Sequence, residues 1–229
     1  MNNKKHIKVL IIGNSITKHS PSPSNGWLGS WGMAATSAEN DYVHILISRV
    51  NEKHSDVEFK WENIYEFEKY FYDYSKFDTQ TYKPLADYGA DIIIATFGAN
   101  IRNVTNEQDS GFETDEIFTP ERYSDIIEFF NPGGKAEVLA GITTLTPYEN
   151  AEIIKLSAQR NGYILVDMSD LTERKYTAAD YKENSAVFTS NVIEPVLNHP
   201  GNLGMEKMAE RIFMVLTRLL SDKGDYEDV

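Results

Sequence analysis

The stretch "IKVLIIGNSIT", residues 7–17, decides the fold. It is an almost unbroken apolar run, rich in β-branched side chains, that stops at Gly13. So short a run with no polar alternation reads as a strand buried on both faces. Strands of that kind belong to parallel sheets covered by helices on either side, so helix and strand should alternate downstream. They do. "VEFKWENI" (57–64), "ADIIIATFG" (90–98), "AEVLAGIT" (136–143) and "YILVDMS" (163–169) read as four further strands. Between them lie amphipathic segments. "SAENDYVHILISRVNEK" (37–53) reads as a helix capped by Thr36 or Ser37. "TPERYSDIIEFFN" (119–131) reads as a helix with Thr119 as cap and Pro120 in its first turn. "TPYENAEIIKLSAQRNG" (146–162) carries a capping box, Thr146 to Glu149, and Gly162 as its stop. "GMEKMAERIFMVLTRLL" (204–220) reads as a long last helix. The aromatic and acidic region from Glu66 to Tyr88 suits a pair of surface helices. The pattern predicts an α/β fold, a doubly wound parallel sheet in one domain over residues 1–229, with the acidic tail 222–229 fraying.

Composition narrows the function. The 229 residues carry a net charge of −13, so a nucleic-acid partner, which demands a basic surface, is not expected. There is no cysteine, which removes disulfides, thiolate metal sites and cysteine nucleophiles. That absence fits an exported protein and a cytosolic one equally. No apolar run reaches transmembrane length, so no membrane partner is expected, and "MNNKKHIKVLIIG" enters a strand without the pattern of a signal peptide. His6, His19, His44 and His54 lack metal-ligand spacing, and no phosphate-cradling glycine loop is present; no metal and no cofactor is expected. His19 is of interest only because it lies four residues after Ser15.

Ligands of doubly wound sheets bind beyond the carboxyl ends of the strands. Three chemistry-bearing residues fall there: Ser15 after the first strand, Asn100 after the central one, and His199 just before the last helix. Each alone has a plain structural reading, as a turn cap, a turn residue and a helix entrance. Together they suggest a nucleophile, an oxyanion donor and a general base. Asp167 and Asp170 follow the last strand, where capping explains them.

"IIGNSIT", "GAN" (98–100) and "HPGNLGMEKMAERI" (199–212) resemble three sequence blocks of the SGNH (GDSL-like) hydrolases. The resemblance spans nearly the whole chain. It implies a flavodoxin-like α/β/α sandwich with a central parallel sheet, and ester hydrolysis through an acyl-enzyme without a metal. Ser15 matches the nucleophile, His199 the base and Asn100 an oxyanion donor; Gly98 matches the glycine before that Asn, and Asn14 stands where the family has Asp.

Two positions depart from the pattern. The family's acid, three residues before the histidine, is Val196 here, leaving either Glu194 or a backbone carbonyl to orient His199. The glycine of the family's second block is also missing, because no glycine occurs between Gly32 and Gly89. A backbone donor near Asn63–Glu66 would replace it, and Glu66 itself is a candidate for selecting substrate. The long segment "SPSPSNGWLGSWGMAA" (20–35) places Trp27 and Trp31 either as a wall or lid over Ser15 or as core on the sheet edge.

The implied activity is a serine esterase acting on a small acylated molecule. An acylated carbohydrate is suggested by the aromatic, polar loop. A non-catalytic carbohydrate-binding protein on the same scaffold, or an acyltransferase, are the rival readings.

Overall fold

The computed structural model describes residues 6–102, 117–182 and 185–224. Five strands form one sheet: β1 (Ile7–Gly13), β2 (Val57–Asn63), β3 (Ile92–Thr96), β4 (Glu137–Ile142) and β5 (Ile164–Asp167). Their order is β2-β1-β3-β4-β5 and every pairing is parallel. The helices, in chain order, are α1 (Tyr42–Asn51), α2 (Tyr65–Lys69), α3 (Lys83–Ala86), α4 (Pro120–Phe130), α5 (Tyr148–Asn161), α6 (Glu194–Leu197) and α7 (Asn202–Gly224). This is a flavodoxin-like α/β/α sandwich.

Alternation along each strand divides the core. Val9, Ile11, Ile92 and Ile94 pack with α1 and α7, while Leu10, Ile12, Ile93 and Ala95 pack with α4 and α5. The central strand β3 is buried at all five positions, which is why its sequence shows no polar alternation. In the register, Gly13 aligns with Asn63 on one side and Thr96 on the other. The carboxyl ends of β2, β1 and β3 therefore form a common edge.

Five local readings need correction. The cap of α1 is Asp41, whose carboxylate accepts from His44 N at 2.8 Å; Ser37 instead precedes a short 3-10 turn at Ala38–Asn40. The first turn of α5 starts from Pro147, because Thr146 Oγ1 is turned back to accept from Thr143 N at 3.1 Å. Residues 66–88 are no surface helix pair. They fold into short helical turns that send Phe67, Phe71, Tyr82 and Tyr88 into the core beside α4. Of the acidic tail, residues 222–224 still belong to α7 and the rest lies outside the described residues.

Trp27 is the fifth. It is 0% exposed, at the centre of a third cluster with Met33, Val187, Val192 and Val196. Its ring meets Trp31 edge-on at 5.8 Å and Phe188 at 6.1 Å. The indole is thus core and not a lid, because the long loop folds back on itself through a bridge of Ser22 with Trp27 and is covered by a later segment through a bridge of Trp27 with Phe188. Trp27→Ala is expected to lower folding stability by about 3–5 kcal/mol, as large buried aromatic deletions do. Thermal or urea melting measures it, and a loss under about 1 kcal/mol would contradict a core role.

Candidate active site

The turn after β1 packs directly against Gly13, which has no side chain. A Cβ there would lie 2.0 Å from Thr17 Oγ1 and 2.4 Å from Thr96 Oγ1. Those hydroxyls form a buried triangle with Tyr42 Oη, with sides of 2.7, 2.9 and 3.1 Å, directly under the turn. The turn itself closes when Thr17 N and Lys18 N donate to Asn14 O at 2.9 and 3.1 Å. Asn14 is buried, and its side-chain oxygen accepts from Ile16 N at 3.2 Å. The outcome is a rigid corner with Ser15 half-buried at its tip.

The loop between α6 and α7 brings His199 to the same corner. That loop is pinned by Ala178 N donating to His199 O at 3.0 Å and Gly201 N donating to Tyr176 O at 2.7 Å. Ser15 Oγ lies 2.8 Å from His199 Nε2, and His199 Nδ1 lies 2.8 Å from Pro195 O. A carbonyl only accepts, so Nδ1 carries the proton and Nε2 is the free acceptor for the serine hydroxyl. Val196 is buried in the third cluster, and Glu194 is exposed in the first turn of α6. The orienting contact of the imidazole is therefore the Pro195 carbonyl and not Glu194.

Burial depresses the His199 pKa to about 4; the Pro195 carbonyl opposes the shift, and the charge of His19 adds to it. A base must be neutral to act. With the pKa lowered, the imidazole stays neutral until the pH falls through about 4, not through the ordinary value near 6.5. A reaction that uses the neutral imidazole as its base is thus expected to lose rate as the pH falls through about 4. An acid limb at 6 to 7 would contradict the depressed pKa.

Asn100 follows β3 at the same edge. Its main chain turns at Gly98, whose φ of +122 is a conformation that L side chains rarely adopt; a Cβ there would also lie 2.9 Å from Ile154 Cδ1. Asn100 Nδ2 donates to Glu68 Oε2 at 2.7 Å, and Glu68 Oε1 accepts from Gly98 N at 2.6 Å and Asn100 N at 3.2 Å. On the other side, Asn150 Nδ2 donates to Gly98 O at 2.9 Å and Ile101 O at 3.0 Å.

Ser15, His199 and Asn100 line one cavity of about 390 Å³, with Met33, Asn63 and Tyr82 among its walls. Other candidates sit elsewhere. Glu66 is one step removed, accepting from Tyr82 Oη at 3.0 Å. Trp31 is half-buried; its indole N–H donates to Ala35 O at 2.9 Å, and it lines a separate hollow with Phe59 and Trp61. The sought donor near Asn63–Glu66 is not one of the first three amides there. Asn63 N donates to Glu62 Oε1 at 3.0 Å, Ile64 N to Gly13 O at 2.7 Å and Tyr65 N to Asn63 Oδ1 at 2.8 Å.

Sequence reasoning missed Glu68. The signal was present: Ile64, Phe67 and Phe71 stand at i, i+3 and i+7 of one apolar stripe, and Glu68 occupies its i+4 place. A carboxylate on an apolar stripe has to find donors inside.

No protein-family model matches the chain, and no match is found among curated proteins. Solved structures do resemble it. An acetylxylan esterase from Geobacillus stearothermophilus superposes with TM-score 0.53 at 13% identity, over 93% of this chain and 95% of that one. The psychrotrophic esterase EstA from Pseudoalteromonas sp. gives 0.52 at 11% identity, over 93% and 98%. A two-domain esterase active on acetylated mannans gives 0.51 at 15% identity over 93% of this chain, which spans only 48% of that protein's length. The fold of the chain is the SGNH-hydrolase fold.

Proposed function

We propose that the protein is a serine ester hydrolase that cleaves acyl groups from a small alcohol through an acyl-enzyme. The observation that carries this reading is the 2.8 Å contact of Ser15 Oγ with His199 Nε2, in a ring whose other nitrogen is held by a carbonyl. Ser15 Oγ attacks the acyl carbonyl as Nε2 takes its proton. Asn100 Nδ2 and Ser15 N stabilise the oxyanion. The imidazolium then protonates the leaving alkoxide, and water repeats the sequence on the acyl-enzyme. Neutralising a triad aspartate costs about 10⁴ in kcat because the wrong tautomer forms. The Pro195 carbonyl fixes the right tautomer without a charge, so a Ser–His dyad suffices.

The alcohol we propose is a carbohydrate. Three of the structural likenesses are to esterases, two of them described as acting on acetylated mannans or xylan. The cavity offers amide and phenol groups suited to sugar hydroxyls, from Asn25, Asn63, Tyr65 and Tyr82. The test is acetate release from acetylated xylan and mannan oligosaccharides, beside turnover of p-nitrophenyl acetate and labelling of Ser15 by a fluorophosphonate. Absence of turnover and of labelling would favour the non-catalytic, carbohydrate-binding alternative. Transfer of acetate to added sugars in preference to water would make the protein an acyltransferase.

A further inference from the structure

Glu68 has no step in the reaction above, yet it is a carboxylate removed from water at the carboxyl edge of the sheet, 1% exposed. The four groups hydrogen-bonded to it are all donors. Oε1 accepts from Gly98 N at 2.6 Å, Asn100 N at 3.2 Å and Asn14 Nδ2 at 3.3 Å, and Oε2 accepts from Asn100 Nδ2 at 2.7 Å. Burying an ionised carboxylate is costly unless bonds of this kind surround it. Burial raises its carboxyl above the usual range, and the four donors oppose that shift without cancelling it.

We propose that Glu68 is the positioning residue of the oxyanion donor, fixing which end of the Asn100 amide faces the cavity. The two ends of an amide have nearly the same shape and opposite hydrogen-bonding character. A carboxylate only accepts, so Asn100 Nδ2 must face Glu68, because Oδ1 in that place would set acceptor against acceptor. One Nδ2 hydrogen is held and the second is left for the substrate oxygen. The same carboxylate fixes the main chain beneath, through Gly98 N and Asn100 N. Asn150 holds the opposite carbonyls, of Gly98 and Ile101. The donor is thus preorganised in side chain and backbone together, which is what transition-state stabilisation requires. It also gives a place to the carboxylate that the resemblance expects at position 14. The residue there is Asn14, and the acid stands across a hydrogen bond from it, at Glu68.

The inference rests on the ester-hydrolase reading, and one set of variants separates the two. Turnover of p-nitrophenyl acetate is measured for wild type, Glu68→Gln, Asn100→Ala and the double variant, each checked for folding by near-ultraviolet circular dichroism. A glutamine side chain has the shape of glutamate but sets an NH₂ against a donor, which inverts Asn100 or releases it. Glu68→Gln should lower kcat by roughly 10²–10³, as loss of an oxyanion donor does, with KM within about threefold. Asn100→Ala should cost a similar factor, and the double variant should be no slower than Asn100→Ala within about threefold, since both remove one interaction. A Glu68→Gln enzyme with wild-type kcat, or a double variant whose loss is the product of the single losses, would overturn the proposal. Inert wild type with unlabelled Ser15 would defeat the hydrolase reading, and this inference with it; active wild type with unaffected Glu68→Gln defeats this inference alone. Should Glu68→Gln not fold, the wild type decides by NMR, with the Asn100 side-chain amide assigned through Asn100→Ala. One of its two protons should exchange slowly with water, and equally fast exchange of both would refute the anchor.

Discussion

Ser15→Ala is expected to abolish turnover of p-nitrophenyl acetate and fluorophosphonate labelling while leaving the melting curve nearly unchanged. Two features separate chemistry from stability here. The hydroxyl makes a hydrogen bond to His199 Nε2, and the net worth of such a bond is only about 1 kcal/mol. The corner around it is held by groups that alanine keeps. Thr17 N and Lys18 N donate to Asn14 O, and Met33 N donates to Ser15 O at 2.8 Å. Ser15 N, the proposed second oxyanion donor, also survives. The variant therefore keeps its cavity and its polarising groups and loses only the atom that we propose attacks. In a comparable hydrolase, loss of the nucleophile costs roughly 10⁶ in kcat. Undiminished turnover by folded Ser15→Ala would remove Ser15 as nucleophile and leave the corner a purely structural turn.

What could be read in the sequence follows from where the physics is local. Continuous apolar runs ending in glycine or a polar residue reported β1, β3 and β4, because a strand buried on both faces leaves no polar alternation; β2 and β5, at the two edges of the sheet, are only partly buried, and β2 mixes polar with apolar residues. Thr119 as a cap and Gly162 as a stop were legible for the same reason: each acts within one helical turn, and Gly162 does adopt the left-handed conformation, φ 70. Thr146 and Ser37 failed as caps because a neighbour competed. Asp41 offered a carboxylate nearer the helix, and Thr143 claimed the Thr146 hydroxyl. Ser15, Asn100 and His199 were visible through their motifs and their places at strand and helix ends.

The supporting residues were hidden because their meaning is long-range. Glu68 meets its partners 30, 32 and 54 positions away in the chain. The Pro195 carbonyl leaves no mark in side-chain identity, so the choice between it and Glu194 stayed open until the α6–α7 loop was in view. The tryptophans are a different case. A loop rich in Pro, Ser and Gly left lid and core both open, because such residues can cross the surface or let a chain fold tightly back on itself. That is how Trp27 comes to be covered.

His199→Ala should bring kcat down to the level of Ser15→Ala, and the double variant should be no slower than either. In the proposed mechanism the hydroxyl and the imidazole are one device: an unassisted serine is a poor nucleophile, and an imidazole without a serine has nothing to activate. Residues acting as a unit lose nearly everything at the first deletion, so their losses do not multiply. The activity left after deletion is the contribution of the oxyanion donors and of binding, roughly 10³–10⁴ over water. Stability responds differently from that of Ser15→Ala, since the larger, half-buried ring is lost together with its Nδ1 bond to Pro195 O in α6. A modest fall in melting temperature is expected, and activity must be read on the folded fraction. Added imidazole gives a second readout, because it can enter the space left by the ring and restore proton transfer but not a missing oxyanion donor. Partial rescue of His199→Ala by imidazole, with none for Ser15→Ala, is the pattern a general base produces. Losses that multiply in the double variant would mean that Ser15 and His199 act independently, and the 2.8 Å contact between them would then be a structural hydrogen bond only.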